Sequence, residues 1–266
     1  MEFIIVALTV LFGAGLTFFS GFGLGTLMLP VFSIFFDLPI AVGATATVHL
    51  ANNVFKFALV SKHIHFATLI RFGLPALIFA FIGSMLLTVF DHSAPLYTFE
   101  INGHSFNLTI VKITIGSLMM FFAWFDLDPR FDNLSVKKRH IPLGGVLSGF
   151  FGGLSGHQGA FRAAFLAKAG LTKEQFIGTS NAVSLIVDLA RLSIYLFGFA
   201  AITGQENKFV AAISGAKEIL IVAVIFAFIG TYFGKKLVQK TTITKIQRIV
   251  GALLLIMGLL LIIGII

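Results

Sequence analysis

Between Glu2 and Asp37 the chain carries no Asp, Glu, Lys or Arg, and further charge-free runs occupy 38–55, 72–90, 140–161, 219–234 and 249–266. Each is near the length a helix needs to cross a bilayer, roughly 20 residues. With 58% hydrophobic and 11% charged residues and a mean hydropathy of +1.01, the chain has too little polar surface to cover itself in water. It reads as a polytopic integral membrane protein, and soluble enzyme classes are set aside.

The apolar runs lack the ten-residue alternation of a transmembrane barrel, so the expected class is all-α. The 32 Phe suit lipid-facing surfaces, and the 27 Gly let helices approach closely or break. Without cysteine there is no disulfide framework, thiolate site or haem attachment. A net charge of +8 in such a chain points to basic cytoplasmic loops rather than to nucleic acid. The N-terminus has Glu2 instead of a basic region and an apolar run too long for a signal peptide, so it is expected to be retained as the first membrane segment.

Eight hydrophobic segments are predicted: 3–36 and 142–170, both interrupted, with 40–60, 69–90, 108–125, 175–203, 218–234 and 246–266. Shifting the chain by 135 residues aligns Ser20-Gly21 with Ser155-Gly156, Gly43 with Gly178, Thr45 with Ser180, Asn53 with Asp188, Lys56 with Arg191 and Gly116 with Gly251. At a slightly different offset, Ile78-Phe79-Ala80-Phe81-Ile82-Gly83 recurs as Ile225-Phe226-Ala227-Phe228-Ile229-Gly230. Two membrane repeats, 1–130 and 131–266, are expected within one transmembrane domain.

Lys and Arg place the connections holding Lys56, Lys62 and Arg71, then Arg130, Lys137, Lys138 and Arg139, then Lys235, Lys236, Lys240, Lys245 and Arg248 in the cytoplasm. The 91–107 and 204–217 connections fall outside. Both 126–140 and 235–245 can be cytoplasmic only if 142–170 counts as an even number of crossings. The two halves then run in opposite directions, as an inverted repeat. Six to eight full crossings remain open, as does whether the broken segments are re-entrant or spanning.

Each interrupted segment breaks at small residues: Ser20-Gly21-Phe22-Gly23-Leu24-Gly25 and Gly152-Gly153-Leu154-Ser155-Gly156-His157-Gln158-Gly159. Non-helical backbone at membrane depth survives only inside protein or beside a wet cavity, and a half-helix starting there offers N–H groups to an anion. The bland alternative is that the glycines only allow close packing. The following helices carry polar stripes, Thr45, His49, Asn52 and Lys56 at spacings of 4, 3 and 4, and Asn181, Ser184, Asp188 and Arg191 at 3, 4 and 3, with Ser180 alongside. Asp188 and Arg191 either neutralise each other or mark a site that exchanges this partner for a substrate. Lys56 either joins that site or snorkels to the interface, and Lys168 is read as interfacial.

The substrate-binding candidates are Arg191, Lys56, Arg162, Ser180, Thr45, Asn181, Asn52, Ser155, Gly156, Gln158, Gly21, Gly23 and Gly25. His157, His49 and Asp188 are candidates for proton coupling, against the plainer reading of hydrogen-bonded structural histidines. No metal site is expected, since neither HxxxH nor HExxH occurs and His63 and His65 read as solvated loop residues. No cofactor is expected. Intramembrane catalysis lacks paired acids or a GxSxG, so the chain is not read as an enzyme.

The broken segment Gly21 to Pro30, followed by Leu38-Pro39-Ile40-Ala41-Val42-Gly43-Ala44-Thr45 and echoed by Ile177-Gly178-Thr179-Ser180-Asn181, resembles the TauE/SafE family of sulfite and organosulfonate exporters over nearly the whole chain. The family's glycine and proline pattern is kept in part: Pro30 follows the first break, while Ser155 to Arg162 has no matching proline. The resemblance implies a permease of the inner or plasma membrane moving small anions such as sulfite, organosulfonates or other small organic acids. The expected partners are that anion and the lipid bilayer, without nucleic acid, and a homo-oligomer stays open. An anion or water channel and a non-transporting scaffold are the rival classes.

Overall fold

The structure is a computed structural model that describes residues 2–20, 24–91, 94–101, 104–131, 138–167, 169–198, 208–237 and 243–265. Its helices are α1 (Glu2–Ser20), α2 (Leu24–Phe35), α3 (Leu38–Val60), α4 (Phe66–Asp91), α5 (Ile110–Leu127), α6 (Ile141–Ser155), α7 (Gly159–Leu166), α8 (Lys173–Ser193), α9 (Lys208–Gly215), α10 (Lys217–Leu237) and α11 (Ile243–Ile262). The chain is an all-α polytopic membrane protein, as its apolar runs require: only structures that satisfy their own backbone groups persist in hydrocarbon. By length and composition Phe66–Phe90, Lys173–Gly198 and Lys217–Gly234 are long and apolar enough to cross a bilayer, and Glu2–Phe18, Leu24–Phe35, Ile110–Phe125 and Gly251–Ile262 are shorter apolar helices. The 23-residue α3 is as long as these but carries a buried polar stripe.

One polar connection folds in a way that charge counting did not foresee. Tyr97–Ile101 (β1) and His104–Leu108 (β2) pair antiparallel, Phe99 facing Phe106 in register with their rings 5.6 Å apart. This hairpin marks one end of the molecule. At the other end lie Lys138 and Arg139, just before α6.

Glycine seams fix the helix directions. Gly145, Gly149 and Gly153 on α6 face the backbone carbonyls of Phe72, Ala76 and Ala80 on α4, where any Cβ would overlap the oxygen. The equal steps along both chains make α4 and α6 parallel. On the opposite side Gly230 faces the Leu11 carbonyl and Gly234 faces Gly15, which makes α1 parallel to α10. Lipid supplies no hydrophobic drive between helices, so this backbone-to-backbone contact is what holds them together. Gly116 of α5 lies 2.7 Å by its added Cβ from the Gly258 carbonyl of α11, with Ile262 at 2.8 Å, so that pair is antiparallel.

The two broken segments are both hairpins that return to the end they came from. In α6–α7, Gly144 packs on Phe165 and Gly170 lies against Lys138, beside the start of α6. In α1–α2, Gly13 packs on Leu24 and Leu27, while Val6, Thr9 and Val10 share a crevice with Met28, Val31 and Phe32. Asp37, just past α2, lines a crevice at the β-hairpin end with Phe90, Asn107, Thr109 and Lys112. The α1–α2 hairpin therefore enters from the β-hairpin end and α6–α7 from the basic end. Outside the two hairpins, α3, α4, α5, α8, α10 and α11 are the longer helices among the described residues.

The expected 204–217 connection is partly helical. Residues 199–207 lie outside the description, but α9 folds back and places the Phe209 ring where Gly43 lacks a side chain, 5.7 Å from the Tyr195 ring. An apolar ring filling a glycine gap explains why this stretch tucks against α3.

Candidate functional site

The polar stripes of α3 and α8 face each other in the middle of the molecule. Antiparallel packing sets Val60, at the end of α3, against Gly178 near the start of α8, so Asn53 and Asp188 meet at one level. These are the two residues that the repeat offset aligns, and they are hydrogen bonded to each other at 2.7 Å across 135 residues.

Asp188 is the hub. Its Oδ2 accepts from His49 Nδ1 at 2.6 Å and from Asn53 Nδ2 at 2.7 Å. Because the carboxylate can only accept, the His49 proton sits on Nδ1, and the 3.1 Å approach of Asn53 Nδ2 to that nitrogen is a contact between donors. On its other oxygen, Asp188 accepts from Gln158 Nε2 at 3.2 Å and lies 3.0 Å from Arg191 Nη2. Gln158 in turn accepts from Arg162 Nη1 at 2.8 Å, and Arg162 Nε donates to Ser180 Oγ at 2.7 Å. Asn181 Nδ2 donates to Asn53 Oδ1 at 3.1 Å, and Thr231 Oγ1 to Asn52 Oδ1 at 2.7 Å.

Three cations share this carboxylate. Arg191 is 0% exposed, Arg162 3% and Lys56 7%, and among the described residues Asp188 is the one buried acid. Removing a charge from water costs several kcal/mol, about that much per ion, which one carboxylate offsets only in part. Arg191 pairs with Asp188 by distance, yet its Nε and Nη2 have no hydrogen-bond partner among the described residues. The same holds for Thr45 Oγ1, Asn52 Nδ2, Asn181 Oδ1 and His157 Nε2. Lys56 does not reach the interface. Its ammonium stands 5.7 Å from the centre of the Phe18 ring, inside the bundle.

The helix breaks border the same region. Gly156 adopts φ +82°, a left-handed conformation that suits glycine, and a Cβ there would come within 2.8 Å of Arg191 Nη1. Arg191 Nη1 also lies 3.5 Å from the Gly152 carbonyl at the end of α6. From the other hairpin, Gly25 sits against the Thr45 methyl, the Gly156 carbonyl and the His49 ring, at 3.4 to 3.8 Å from an added Cβ. The N-terminal turn of α2 therefore meets the second break.

Most of the residues singled out from the sequence are brought together: Thr45, His49, Asn52, Lys56, Gln158, Arg162, Ser180, Asn181, Asp188, Arg191, Gly25 and Gly156. Gly21, Gly23 and Lys168 lie outside the described residues. Ser155 and His157 form a pair at 3.0 Å, and the His157 ring is stacked on Phe122 of α5, 5.2 Å between centroids. His63 is exposed as expected, whereas His65 is half-buried with its backbone N–H on Thr179 Oγ1 at 3.0 Å. Sequence reasoning missed three contributors. Asn53 is the closest amide to Asp188, and its repeat alignment with that residue was the available signal. Tyr195 donates to the Gly153 carbonyl at 2.7 Å, from a π-helical turn, Ile194–Gly198, that follows α8, and Thr231 comes from α10, whose charged residues lie only near its ends.

An all-α membrane protein in which two helical hairpins from opposite ends meet a buried, cation-rich centre has the build of a transporter. A family model described as sulfite exporter TauE/SafE matches residues 5–261, and the chain belongs to that family. Its members are membrane transporters of sulfite or related anions, not enzymes. Neither the curated proteins nor the solved structures give a match.

Proposed function

We propose that the chain is a secondary transporter that carries a small oxyanion, sulfite or an organosulfonate or similar organic acid, across the inner or plasma membrane, with proton coupling. The observation that carries this reading is Arg191: an enclosed guanidinium whose Nη2 rests on Asp188 at 3.0 Å and whose Nε has no partner among the described residues. Asp188 serves as the internal anion. A substrate oxyanion accepting from Arg191 replaces it, with the Thr45 hydroxyl and the backbone of the two breaks taking over part of the hydration shell.

When a substrate displaces Asp188 from Arg191, a proton taken up by His49 on Nε2 lets it pass its Nδ1 proton to the carboxylate along their 2.6 Å hydrogen bond, leaving a neutral imidazole and a neutral acid. Coupling is assigned to this pair rather than to His157, whose ring faces Phe122. The enclosure of the centre supports a carrier over a channel, because no continuous open path fits residues so uniformly buried. The parallel α4–α6 and α1–α10 pairs, each joining one half to the other, support an inverted duplication with its boundary between 126 and 140.

The test is counterflow of radiolabelled sulfite in proteoliposomes, competed by sulfonates, carboxylates and phosphate. Wild type is expected to show saturable counterflow, and Arg191→Ala to lose it by about a hundredfold or more while still folded. Normal counterflow by folded Arg191→Ala would overturn the assignment.

A further inference from the structure

We propose that the chain holds two anion subsites in tandem, related by the internal repeat and lying on opposite sides of the Asp188 carboxylate, one on Arg191 and one on Lys56. The proposal rests on the anion-transport reading and adds to it a second binding position.

The geometry starts from the Asn53–Asp188 bond. Two residues 135 apart, equivalent in the repeat, touch only where the axis relating the halves passes. Lys56 and Arg191 are the next equivalent pair, each three residues beyond its axis residue. Because α3 and α8 are antiparallel, those three residues lead in opposite directions, about 4.5 Å each way at 1.5 Å per residue. Lys56 is thus displaced toward the basic end and Arg191 toward the β-hairpin end, about 9 Å apart along the helix axes.

Both cations face the end of the first hairpin helix of their own half. Arg191 Nη1 lies 3.5 Å from the Gly152 carbonyl of α6, and Lys56 Nζ stands over Phe18, near the end of α1. Both have an unpaired buried donor beside them. On the Arg191 side it is the guanidinium itself, with Thr45 Oγ1 next to Gly25 and Gly156. For Lys56 it is Asn52 Nδ2, one helical turn back on the same face of α3, close to the level of the axis. Asn52 is 0% exposed, and Thr231 holds its oxygen so that the amide N–H₂ is the free end.

An anion leaving one cation thus finds the other on the far side of a fixed negative charge. Asp188 divides the two positions and keeps the pair from acting as one deep trap, while mutual repulsion makes the second anion bind about tenfold more weakly than the first. Weak, sequential binding is what lets a charged substrate leave as readily as it enters.

The experiment is equilibrium binding of radiolabelled sulfite to the purified full-length chain in lipid nanodiscs, read as anions bound per chain. Two bound anions of unequal affinity are expected for wild type. Lys56→Met is expected to leave one, with the tighter affinity unchanged within about twofold. Arg191→Met leaves one, with an affinity at least that of the weaker wild-type position because no first anion repels it. Where a methionine variant does not fold, Lys56→Arg and Arg191→Lys serve instead, and each is expected to shift only its own affinity. One anion per folded wild-type chain, or loss of all binding by either single variant, overturns the tandem arrangement and leaves a single composite site. No binding by folded wild type overturns the anion reading beneath it.

Discussion

The two halves of the molecule share a frame and differ in what they load onto it. Each supplies a helical hairpin, a long polar-striped helix and a glycine-faced helix that packs on the other half's hairpin. At equivalent positions, however, the first half places Asn53 and Lys56 where the second places Asp188 and Arg191. The first break is flanked by Phe18 and Leu24, while the second carries Gln158 and His157. The frame is set by close packing, which tolerates little change in either half, whereas the axis lets one half carry a charge whose counterpart stays neutral. One carboxylate, Asp188, accepts from His49 and Asn53 of the first half and from Gln158 of the second.

The equivalence of the frame can be broken directly. Gly149→Val and Gly230→Val each push a side chain into a backbone carbonyl of the partner helix, Ala76 and Leu11 respectively. Each is expected to cost about 3 kcal/mol or more and to lower the yield of monodisperse protein alike. If Gly230→Val is tolerated and Gly149→Val is not, the seams are not equivalent.

The asymmetry at the axis comes next. Asp188→Asn leaves Arg191 enclosed without its partner, at a cost of about 3 kcal/mol in thermal stability. Millimolar sulfite is expected to restore most of that loss by supplying the missing negative charge. A destabilised variant that sulfite does not rescue would remove Arg191 from the binding role. Asn53→Asp tests the reverse: a second carboxylate at the axis is expected to weaken sulfite affinity in counterflow about tenfold. The smallest effect belongs to the connection between the halves. Arg130 holds the Asp128 carboxyl below its ordinary range through side-chain and backbone hydrogen bonds. A depressed carboxyl adds stability above its unfolded value and loses it as pH falls through the folded one. The unfolding temperature of Asp128→Asn should therefore differ slightly from wild type at about pH 7 and converge on it only well below the ordinary carboxylate value, at about pH 2.

Much of the frame is legible in the sequence because lipid imposes it. Hydrophobic runs report the helices, Ser155-Gly156 reports a break, and the Lys/Arg imbalance across 126–140 and 235–245 demands a segment that turns back, which the Gly144–Phe165 and Gly170–Lys138 contacts supply. The β-hairpin was hidden because Tyr97 to Leu108 is short and mixed, and two strands leave little periodicity. Within the site, an i, i+4 stripe finds His49 and Asn52 but passes over Asn53, which sits one residue round the helix. Asn53 reaches Asp188 only because a second helix is placed opposite, and no local pattern encodes that placement. His157 is conspicuous in sequence as a polar residue at a break, and the structure adds what no pattern encodes, the stack of its ring on Phe122.

The exchange of helices between the halves has a consequence for how the protein is made. The α1–α2 hairpin emerges first but finds its packing partner, α10, only when residues 217–237 have been synthesised. Until then its glycine face has nothing to lie against, and α3 waits equally long for the α8 residues that share its polar stripe. Each half lacks contacts that the other supplies, so assembly waits until both have been made. Halves separated within 132–137 should accumulate and insert stably only when produced together.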